Sequence, residues 1–289
     1  MIAAAPGVGY IHEPMNPTHR PGICAATTDR YFLNVEDGDP LRWEEALRNT
    51  VAFRYDVGAE LQAIQGPKDI VRMIRDAAVF GWHRYNRRRA LLKDPIALFS
   101  AEWIAQTFDA QIVVLVRHPA SFISSLKRLG WIFPFQDLAM QPRLMDKRLS
   151  PFAGKIRKAA QSPEEGDLIE RGSLLWCIFA HIIDTYRHHH DDWFFVRHED
   201  LADAPVDAFQ QIYTYLGLPF TSSVQQTIQQ HTSQENPSEV APDVTHELQR
   251  DSARVTQTWK TRLTQNEIDR IYTAVQEYAP LFYDDASWG

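Results

Sequence analysis

An arginine and a serine stand eight residues apart where a short apolar run gives way to a helical pattern. The run at 111–116 (QIVVLV) is apolar and rich in β-branched residues, as a parallel strand buried on both faces should be. Arg117 follows it, and Ser125 lies inside the helix predicted at 121–129. A guanidinium at a strand end and a hydroxyl in the next helix can converge on one phosphate. Taken alone, the same arginine could simply cap the edge of a sheet.

Side chains that could act as bases or anion ligands also end the other predicted strands. Those strands are expected at 8–11, 90–93 and 193–196, and the polar residues at their ends are His12 and Glu13, Lys93 and Asp94, and His198. In a parallel sheet the ligand lies beyond the carboxyl ends of the strands. These residues are therefore the first candidates for a functional site.

Helical patterns separate the predicted strands. They run over 66–85, 100–108, 121–129, 173–188 and 205–216, and a last helix starts at Thr264. The expected end signals are Ser100 as an N-cap, Gly130 and Gly217 as C-caps, and Thr264 with Glu267 as a capping box. Strands that alternate with helices predict βαβ units, and so an α/β fold with a parallel sheet.

The composition narrows the class of protein. The chain has 289 residues, 44% of them hydrophobic, and no stretch resembles a linker, so we expect a single domain over 1–289. A net charge of −7 disfavours a nucleic-acid partner but allows a local basic cleft. Cys24 and Cys177 form no metal-like pattern and no disulfide framework, which suits the cytoplasm. No apolar run reaches the ~20 residues that span a bilayer.

Two other polar clusters have plain structural interpretations. Three consecutive histidines, 188–190, precede Asp191 and Asp192, but neighbouring helical residues point in different directions. We therefore expect a solvated helix end there and no metal site. The basic run of Arg84 and residues 87–89 is expected to be a solvated face, and attraction of an anionic ligand is the alternative.

The segment RHPASFISSLKRLGW, residues 117–131, resembles the 3′-phosphate-binding segment of sulfotransferases that use 3′-phosphoadenosine 5′-phosphosulfate (PAPS). In that family an arginine and a serine eight residues apart hold the 3′-phosphate of the donor. The resemblance therefore gives this role to Arg117 and Ser125. It also implies a P-loop-NTPase-like fold, in which a three-layer parallel sheet is flanked by helices.

Two later segments extend the resemblance. The sequence VRHEDLADAPVDAFQQIYTYLGLPF, residues 196–220, is similar to the family's Y-E-D-L…L-G-L-P segment. His198 then replaces the family's adenine-facing tyrosine, and its ring can still stack. The sequence RDSARVTQTWKTRLTQNEI, residues 250–268, resembles the loop that closes over the 3′-phosphate. The resemblance implies phosphate contacts from Ser252, Arg254 and Lys260.

The catalytic residues are also implied by resemblance. The sequence AAAPGVGYIHEP, residues 3–14, resembles a segment of tyrosylprotein and related bacterial sulfotransferases that ends in the proposed catalytic glutamate, here Glu13. Sulfuryl transfer needs a base for the acceptor and a cation for the charge on the bridging oxygen, and Lys93 suits the second task. His12 is a rival base. Pro95 stands where cytosolic enzymes have a histidine base, which removes that candidate, and Glu13 alone could merely cap a turn.

One expected part of such a site is not found in this sequence. No glycine-rich loop with lysine and serine or threonine follows a predicted strand. In the family this loop follows a central strand, and its backbone N–H groups bind the 5′-phosphosulfate. We therefore expect the strand and loop upstream of Met1, a gap in the sheet of residues 1–289, and aggregation through unpaired edges. Residues 1–289 alone are then expected not to turn over PAPS.

The predicted function is transfer of a sulfuryl group from PAPS to a hydroxyl or amine acceptor, which leaves adenosine 3′,5′-bisphosphate. The acceptor could be a small molecule, a glycan or another compound with these groups. The alternative is a non-catalytic relative that binds adenosine 3′,5′-bisphosphate or a protein partner. A nucleotide kinase is a more distant alternative, since it too would need the phosphate loop.

Overall fold

The computed structural model describes residues 1–161, 167–233, 236 and 252–289, with the side chains of 252 and 253 left out. Its strands are β1 (Val8–His12), β2 (Arg89–Lys93), β3 (Val113–Val116) and β4 (Phe194–Arg197). The helices as far as residue 161 are α1 (Pro40–Val51), α2 (Val57–Gln62), α3 (Pro67–Tyr85), α4 (Ala101–Phe108), α5 (Pro119–Leu129), α6 (Gln136–Ala139), α7 (Pro142–Lys147) and α8 (Ala153–Gln161). The later helices are α9 (Leu168–His189), α10 (His198–Asp203), α11 (Pro205–Tyr215), α12 (Ser222–Thr232), α13 (Ser252–Gln257), α14 (Trp259–Arg262) and α15 (Gln265–Val275).

The chain divides into two compact units, each with one pair of strands. The β1–β2 unit contains residues 3–110 and 137–150. The β3–β4 unit contains residues 1–2, 111–136 and 151–289. Both pairs are parallel and are connected through helices, so the predicted α/β class and strand direction are confirmed. Among the described residues the strands form two two-stranded sheets, and a missing central strand stays a prediction.

In the β1–β2 unit, residues pair in register from Val8 with Arg89 to His12 with Lys93. Along β1 the side chain of Ile11 is buried, whereas His12 is exposed. Ile11 belongs to a core cluster with Phe53, before α2, and Phe80 of α3. Phe80 is the one fully buried residue of α3, whereas Ile70 and Ile74 of the same helix are exposed. This packing holds β1 and β2 in place and so determines where both strands end.

A second apolar cluster fixes the long connection between β1 and α1. Met15, Cys24 and Leu33 of this connection pack with Trp43 and Leu47 of α1. Met15 is completely buried, although it lies only three residues beyond the end of β1. The chain just after β1 is therefore held by hydrophobic packing as well as by backbone hydrogen bonds.

In the β3–β4 unit, Val116 lies opposite Arg197 at the carboxyl ends of the strands. Leu115 of β3 is 50% exposed, so the expectation of burial on both faces is wrong at this residue. A two-stranded sheet leaves one face less covered than a large sheet does. Helix α5 follows β3 and packs against α9, where a Cβ on Gly172 would lie 3.2 Å from Ile123.

All four predicted helix-end signals can be compared with the structure. After α11, Gly217 has the left-handed φ of +62°, and Leu216 stands between it and the last helical residue, Tyr215. Gly130 has a left-handed φ of +59° after α5, and Thr264 with Glu267 forms the capping box of α15, so both predictions are confirmed. Ser100 precedes α4, but its hydroxyl does not cap that helix. It donates to the carbonyl of Leu33 at 2.6 Å and accepts from the backbone N–H of residue 35 at 3.0 Å. The Ser100 hydroxyl therefore bonds to a loop that is distant in sequence instead of capping α4.

Candidate active site

Glu13 and Lys93 form an ion pair at the end of the β1–β2 sheet. The backbone N–H of Glu13 donates to the carbonyl of Lys93 at 3.0 Å, which continues the parallel ladder one residue beyond β1. The Lys93 ammonium donates to Oε1 of Glu13, and the Asn16 amide donates to Oε2 at 2.8 Å. Both carboxylate oxygens therefore have hydrogen-bond donors. The sequence placed Glu13 and Lys93 at strand ends, and the structure brings them into contact.

A tight turn holds Glu13 in an uncommon backbone conformation. Its φ is +40°, a region that residues other than glycine seldom adopt. The N–H of Asn16 donates to the Glu13 carbonyl at 3.1 Å and closes the turn. Asp94 accepts from the N–H of Met15 at 2.7 Å and from that of Ile96 at 3.0 Å. Asp94 thus connects the turn to the residues after β2, a contact that sequence reasoning did not predict.

The two carboxyl groups of this cluster are shifted in opposite directions. Burial opposes the ionisation of Glu13, but hydrogen bonds from Lys93 and Asn16 and the charges of Lys93 and His12 outweigh it and lower its pKa. For Asp94, burial dominates over its backbone hydrogen bonds, and with the nearby Glu13 charge it raises the pKa to about 6. Glu13 is therefore ionised near neutral pH, as a base must be, while Asp94 titrates closer to neutrality.

His12, the rival base, lies on the exposed side of β1. Its Nδ1 is 3.0 Å from the hydroxyl of Tyr10, two residues earlier on the same strand. The Tyr10 and His12 rings pack with their centroids 6.0 Å apart. Both His12 and Glu13 carry groups that can accept a proton, so the geometry keeps two candidate bases at this strand end.

Arg117 is held in place at the end of β3. Its Nε donates to the hydroxyl of Ser121 at 2.9 Å, and its carbonyl accepts from the indole N–H of Trp176 at 2.9 Å. Sequence reasoning missed both partners, although the four-residue separation of Arg117 and Ser121 was a signal. Ser125 lies one turn further along α5, on the face that carries Ser121. Arg117 and the Ser121 hydroxyl therefore stand at the N-terminal end of α5, and Ser125 lies just past the middle of the helix.

His198 lies beside Arg117. Val116 and Arg197 are paired, so the next residues of the two strands, Arg117 and His198, stand side by side at the sheet end. Burial and then the Arg117 charge lower the pKa of His198 to about 4. Its ring is therefore neutral at pH 7. Among the described residues its Nδ1 is buried and has no hydrogen-bond partner.

The three C-terminal candidates, Ser252, Arg254 and Lys260, lie on two different helices. Lys260, in α14, donates from its ammonium to the carbonyl of Gly289 and lies 5.5 Å from the centre of the Trp259 ring. Arg254 is exposed on α13. Ser252 begins α13, but its side chain lies outside the described residues.

The Arg117 cluster fits a phosphate-bearing nucleotide. A guanidinium precedes an eleven-residue helix, and Ser121 lies in the first turn of that helix, where backbone N–H groups favour anions. Ser125 lies one turn further along. The neutral His198 ring offers a flat surface and a buried nitrogen without a described partner. Orphaned buried polar atoms are rare in folded proteins, which suggests a ligand partner.

A separate cavity of about 290 Å³ lies in the β1–β2 unit. It is lined by the connection between β1 and α1, by α1 itself and by the residues around the start of α2. The lining residues include Gly22, Thr50, Arg54 and Tyr55. None of the predicted site residues lines it. The chemistry at the strand ends therefore does not depend on this cavity.

Comparisons with known proteins give one family match and one similar solved structure. The model described as "Sulfotransferase family" matches residues 36–222, which include Lys93, Arg117, Ser125 and His198. Among solved structures, the "Sulfotransferase Domain from the Curacin Biosynthetic Pathway" is similar with a TM-score of 0.41 and 14% identity, over 94% of this chain and 98% of that chain. No curated protein matches.

Proposed function

The chain belongs to the sulfotransferase family, and we propose that it is an enzyme that transfers a sulfuryl group from PAPS to a hydroxyl or amine acceptor. The observation that carries this proposal is the Arg117 cluster at the end of β3, inside the matched segment. The acceptor class, the cytoplasmic location and the absence of nucleic-acid partners belong to the same proposal. No helix among the described residues is long and apolar enough to cross a membrane.

We assign the 3′-phosphate of the donor to Arg117 and Ser125. Ser121 holds the Nε of Arg117, so the guanidinium is oriented before any ligand arrives. Fixing the guanidinium in advance reduces the entropy lost on binding. Charge-assisted hydrogen bonds from a guanidinium to phosphate are about twice as strong as neutral ones. The Ser125 hydroxyl adds a neutral donor one helical turn from Ser121.

His198 is assigned to the adenine end of the donor. Its pKa of about 4 keeps the ring uncharged at neutral pH, so it does not add a second cation beside Arg117. An uncharged imidazole can stack on a purine and can exchange one hydrogen bond with it. Arg254, Lys260 and Ser252 are assigned to the loop over the 3′-phosphate, as the resemblance implies.

The transfer step is assigned to the Glu13 cluster. The acceptor O–H or N–H loses its proton to the Glu13 carboxylate as the oxygen or nitrogen bonds to sulfur. The bond from sulfur to the bridging oxygen breaks, and adenosine 3′,5′-bisphosphate leaves with the electron pair. Lys93 can neutralise the charge that develops on that oxygen. Lys93 is in contact with Glu13, so the cation and the base lie at the same strand end.

His12 remains the second candidate base, and Asp94 is a positioning residue. Both oxygens of Asp94 accept backbone N–H bonds from Met15 and Ile96, so this carboxylate is occupied by the turn that carries Glu13. For the fold we propose the P-loop-NTPase-like three-layer sheet and a single functional domain over 1–289. The parallel direction of both strand pairs supports this assignment.

Transfer of label from ³⁵S-PAPS tests the proposal. The full-length gene product is incubated with ³⁵S-PAPS and mixtures of hydroxyl and amine acceptors, and labelled products are separated from the donor. We expect labelled acceptor with the wild type and none above background with Glu13→Gln. Binding of adenosine 3′,5′-bisphosphate without any label transfer would support the non-catalytic alternative. If neither binding nor transfer is observed, both the enzyme and a relative that binds adenosine 3′,5′-bisphosphate are excluded.

A further inference from the structure

His118 lies at the N-cap of α5, directly after Arg117, and packs among three aromatic rings. Its ring stacks on Trp259 with centroids 5.3 Å apart and planes at 15°. Tyr283 and Trp288 contact it edge-on, at 4.9 Å and 4.5 Å. His118 is only 2% exposed. The ring is thus enclosed by parts of the chain that are distant in sequence.

The ring of His118 serves as a flat surface rather than as a hydrogen-bonding group. Neither ring nitrogen has a hydrogen-bond partner among the described residues. Burial, and then the charge of Lys260, lower its pKa to about 4, so the ring is neutral at pH 7. Aromatic pairs stabilise a fold through the apolar area that they bury and through the relative orientation of their rings, and neither effect requires the ring nitrogens.

The backbone around His118 is fixed from the other side by Glu199. Oε1 of Glu199 accepts from the N–H of His118 at 3.1 Å, and Oε2 accepts from the Tyr283 hydroxyl at 2.7 Å. Tyr283 is one of the rings that contacts His118. The residue after the anchor is therefore held through its main chain and its side chain together.

The stacking partner, Trp259, is the first residue of α14 and precedes Lys260. At the other end of this short helix, the Lys127 ammonium of α5 donates to the carbonyl of Arg262 at 3.3 Å. Helix α14 is thus attached to α5 at both ends, through His118 and through Lys127. His118 is thus one of the contacts at the end of α14 that carries Lys260, together with the contact of Trp259 with Trp288.

We propose that His118 is a positioning residue that holds the Trp259–Arg262 segment, and with it Lys260, beside the Arg117 anchor by stacking on Trp259. The proposal rests on the proposed function, in which both cations bind the donor. The proposal goes beyond that function because it names His118 as the residue that couples Arg117 to Lys260. Arg117 and His118 are adjacent in the chain, so displacement of either changes the anchor and the segment together.

A double-mutant cycle tests the coupling. The dissociation constant of adenosine 3′,5′-bisphosphate is measured by calorimetry for the wild type, His118→Ala, Lys260→Ala and the double variant. Loss of the stacked pair should weaken binding by about 5- to 10-fold. If His118 acts through Lys260, His118→Ala should cost little in the Lys260→Ala background. Additive losses in the double variant would overturn the proposal.

The conservative variant His118→Phe is the matched control. It keeps a flat ring and lacks the nitrogens, so its affinity should stay within about twofold of the wild type. An equal loss with Phe and Ala would contradict a stacking role. If the Ala variant is too unstable to titrate, His118→Leu is used in its place, because leucine fills a similar volume without a flat ring.

Hydrogen exchange of the amides of residues 259–262 provides a readout that needs no ligand. We expect faster exchange in His118→Ala and wild-type exchange in His118→Phe, since only Ala releases α14. Unchanged exchange in the Ala variant would overturn the proposal. If the wild type fails to bind adenosine 3′,5′-bisphosphate but this exchange pattern holds, the proposed function fails and the positioning role of His118 stands.

Discussion

The Lys93 ammonium and the Glu13 carboxylate form an ion pair across the ends of two paired strands. The Glu13 side chain is 15% exposed and that of Lys93 is 50% exposed, so the carboxylate is largely covered while its cation reaches solvent. Burial alone would favour the protonated acid, and the bonds from Lys93 and Asn16 reverse that preference. Lys93 therefore helps to set the pH at which Glu13 can act as a base.

Replacing Lys93 with methionine should move the acidic limb of the pH–rate profile to higher pH. Glu13 accepts a proton only when it is ionised, and the lost hydrogen bond and charge no longer hold its pKa down. The profile of kcat/KM reports this group in the free enzyme. Lys93→Arg keeps the cation and should keep the limb near its wild-type position. An unmoved limb in Lys93→Met would show that Glu13 is not the titrating group.

Glu13→Gln should reduce kcat by about 10²- to 10⁴-fold while the affinity for adenosine 3′,5′-bisphosphate is nearly unchanged. Glutamine preserves the size of the side chain and an oxygen for Lys93, but it cannot take the acceptor's proton. Single-turnover transfer and calorimetry measure the two quantities separately. His12→Gln is the matched variant at the neighbouring residue. If His12→Gln loses the rate and Glu13→Gln does not, His12 is the base.

The strand ends could be predicted because the sequence signal there is local. Short apolar runs followed by polar residues predicted where β1, β2, β3 and β4 end, to within one residue. Parallel pairing then places Lys93 opposite His12 and next to Glu13, and it places His198 next to Arg117. These contacts follow from the order of strands and helices along the chain, which the hydrophobic pattern of the sequence indicates directly.

The supporting contacts could not be predicted in the same way. Asp94 bonds to the N–H of Met15, 79 residues earlier, and Ser100 bonds to the carbonyl of Leu33, 67 residues earlier. Such contacts depend on how the connection after β1 packs, and no local pattern encodes that packing. The stacking of His118 on Trp259 is likewise set by a distant helix. Only Ser121, four residues after Arg117, had a spacing that could have been recognised.

Arg117→Ala should weaken the binding of adenosine 3′,5′-bisphosphate by ~30- to 1000-fold, since a charge-assisted fork on phosphate is lost. Ser125→Ala removes one neutral donor and should cost about 1 kcal/mol. Calorimetry on folded variants measures both. Arg128→Ala, at the exposed end of the same helix, is the control and should bind like the wild type. Unchanged affinity in Arg117→Ala would remove this anchor from the site.

His118 should make the folded state sensitive to acid. Burial and then the Lys260 charge lower its pKa from 6.5 to about 4, so the unfolded chain binds a proton at higher pH than the folded chain does. This contribution to stability is present above pH 6.5 and is lost as the pH falls towards 4. His118→Phe cannot titrate, so between pH 7 and pH 5 it should lose about 2 kcal/mol less unfolding free energy than the wild type. Urea unfolding at both pH values measures this, and equal losses would contradict the account.

The most direct measurement compares two nucleotides that differ only in the 3′-phosphate. Adenosine 3′,5′-bisphosphate and adenosine 5′-monophosphate are titrated separately into the full-length gene product by calorimetry. If Arg117 and Ser125 hold the 3′-phosphate of PAPS, the bisphosphate should bind ~30- to 1000-fold more tightly than the monophosphate. Arg117→Ala should remove most of that difference. Equal affinity for the two nucleotides, or no binding of either, would contradict the assignment of a PAPS-dependent sulfotransferase.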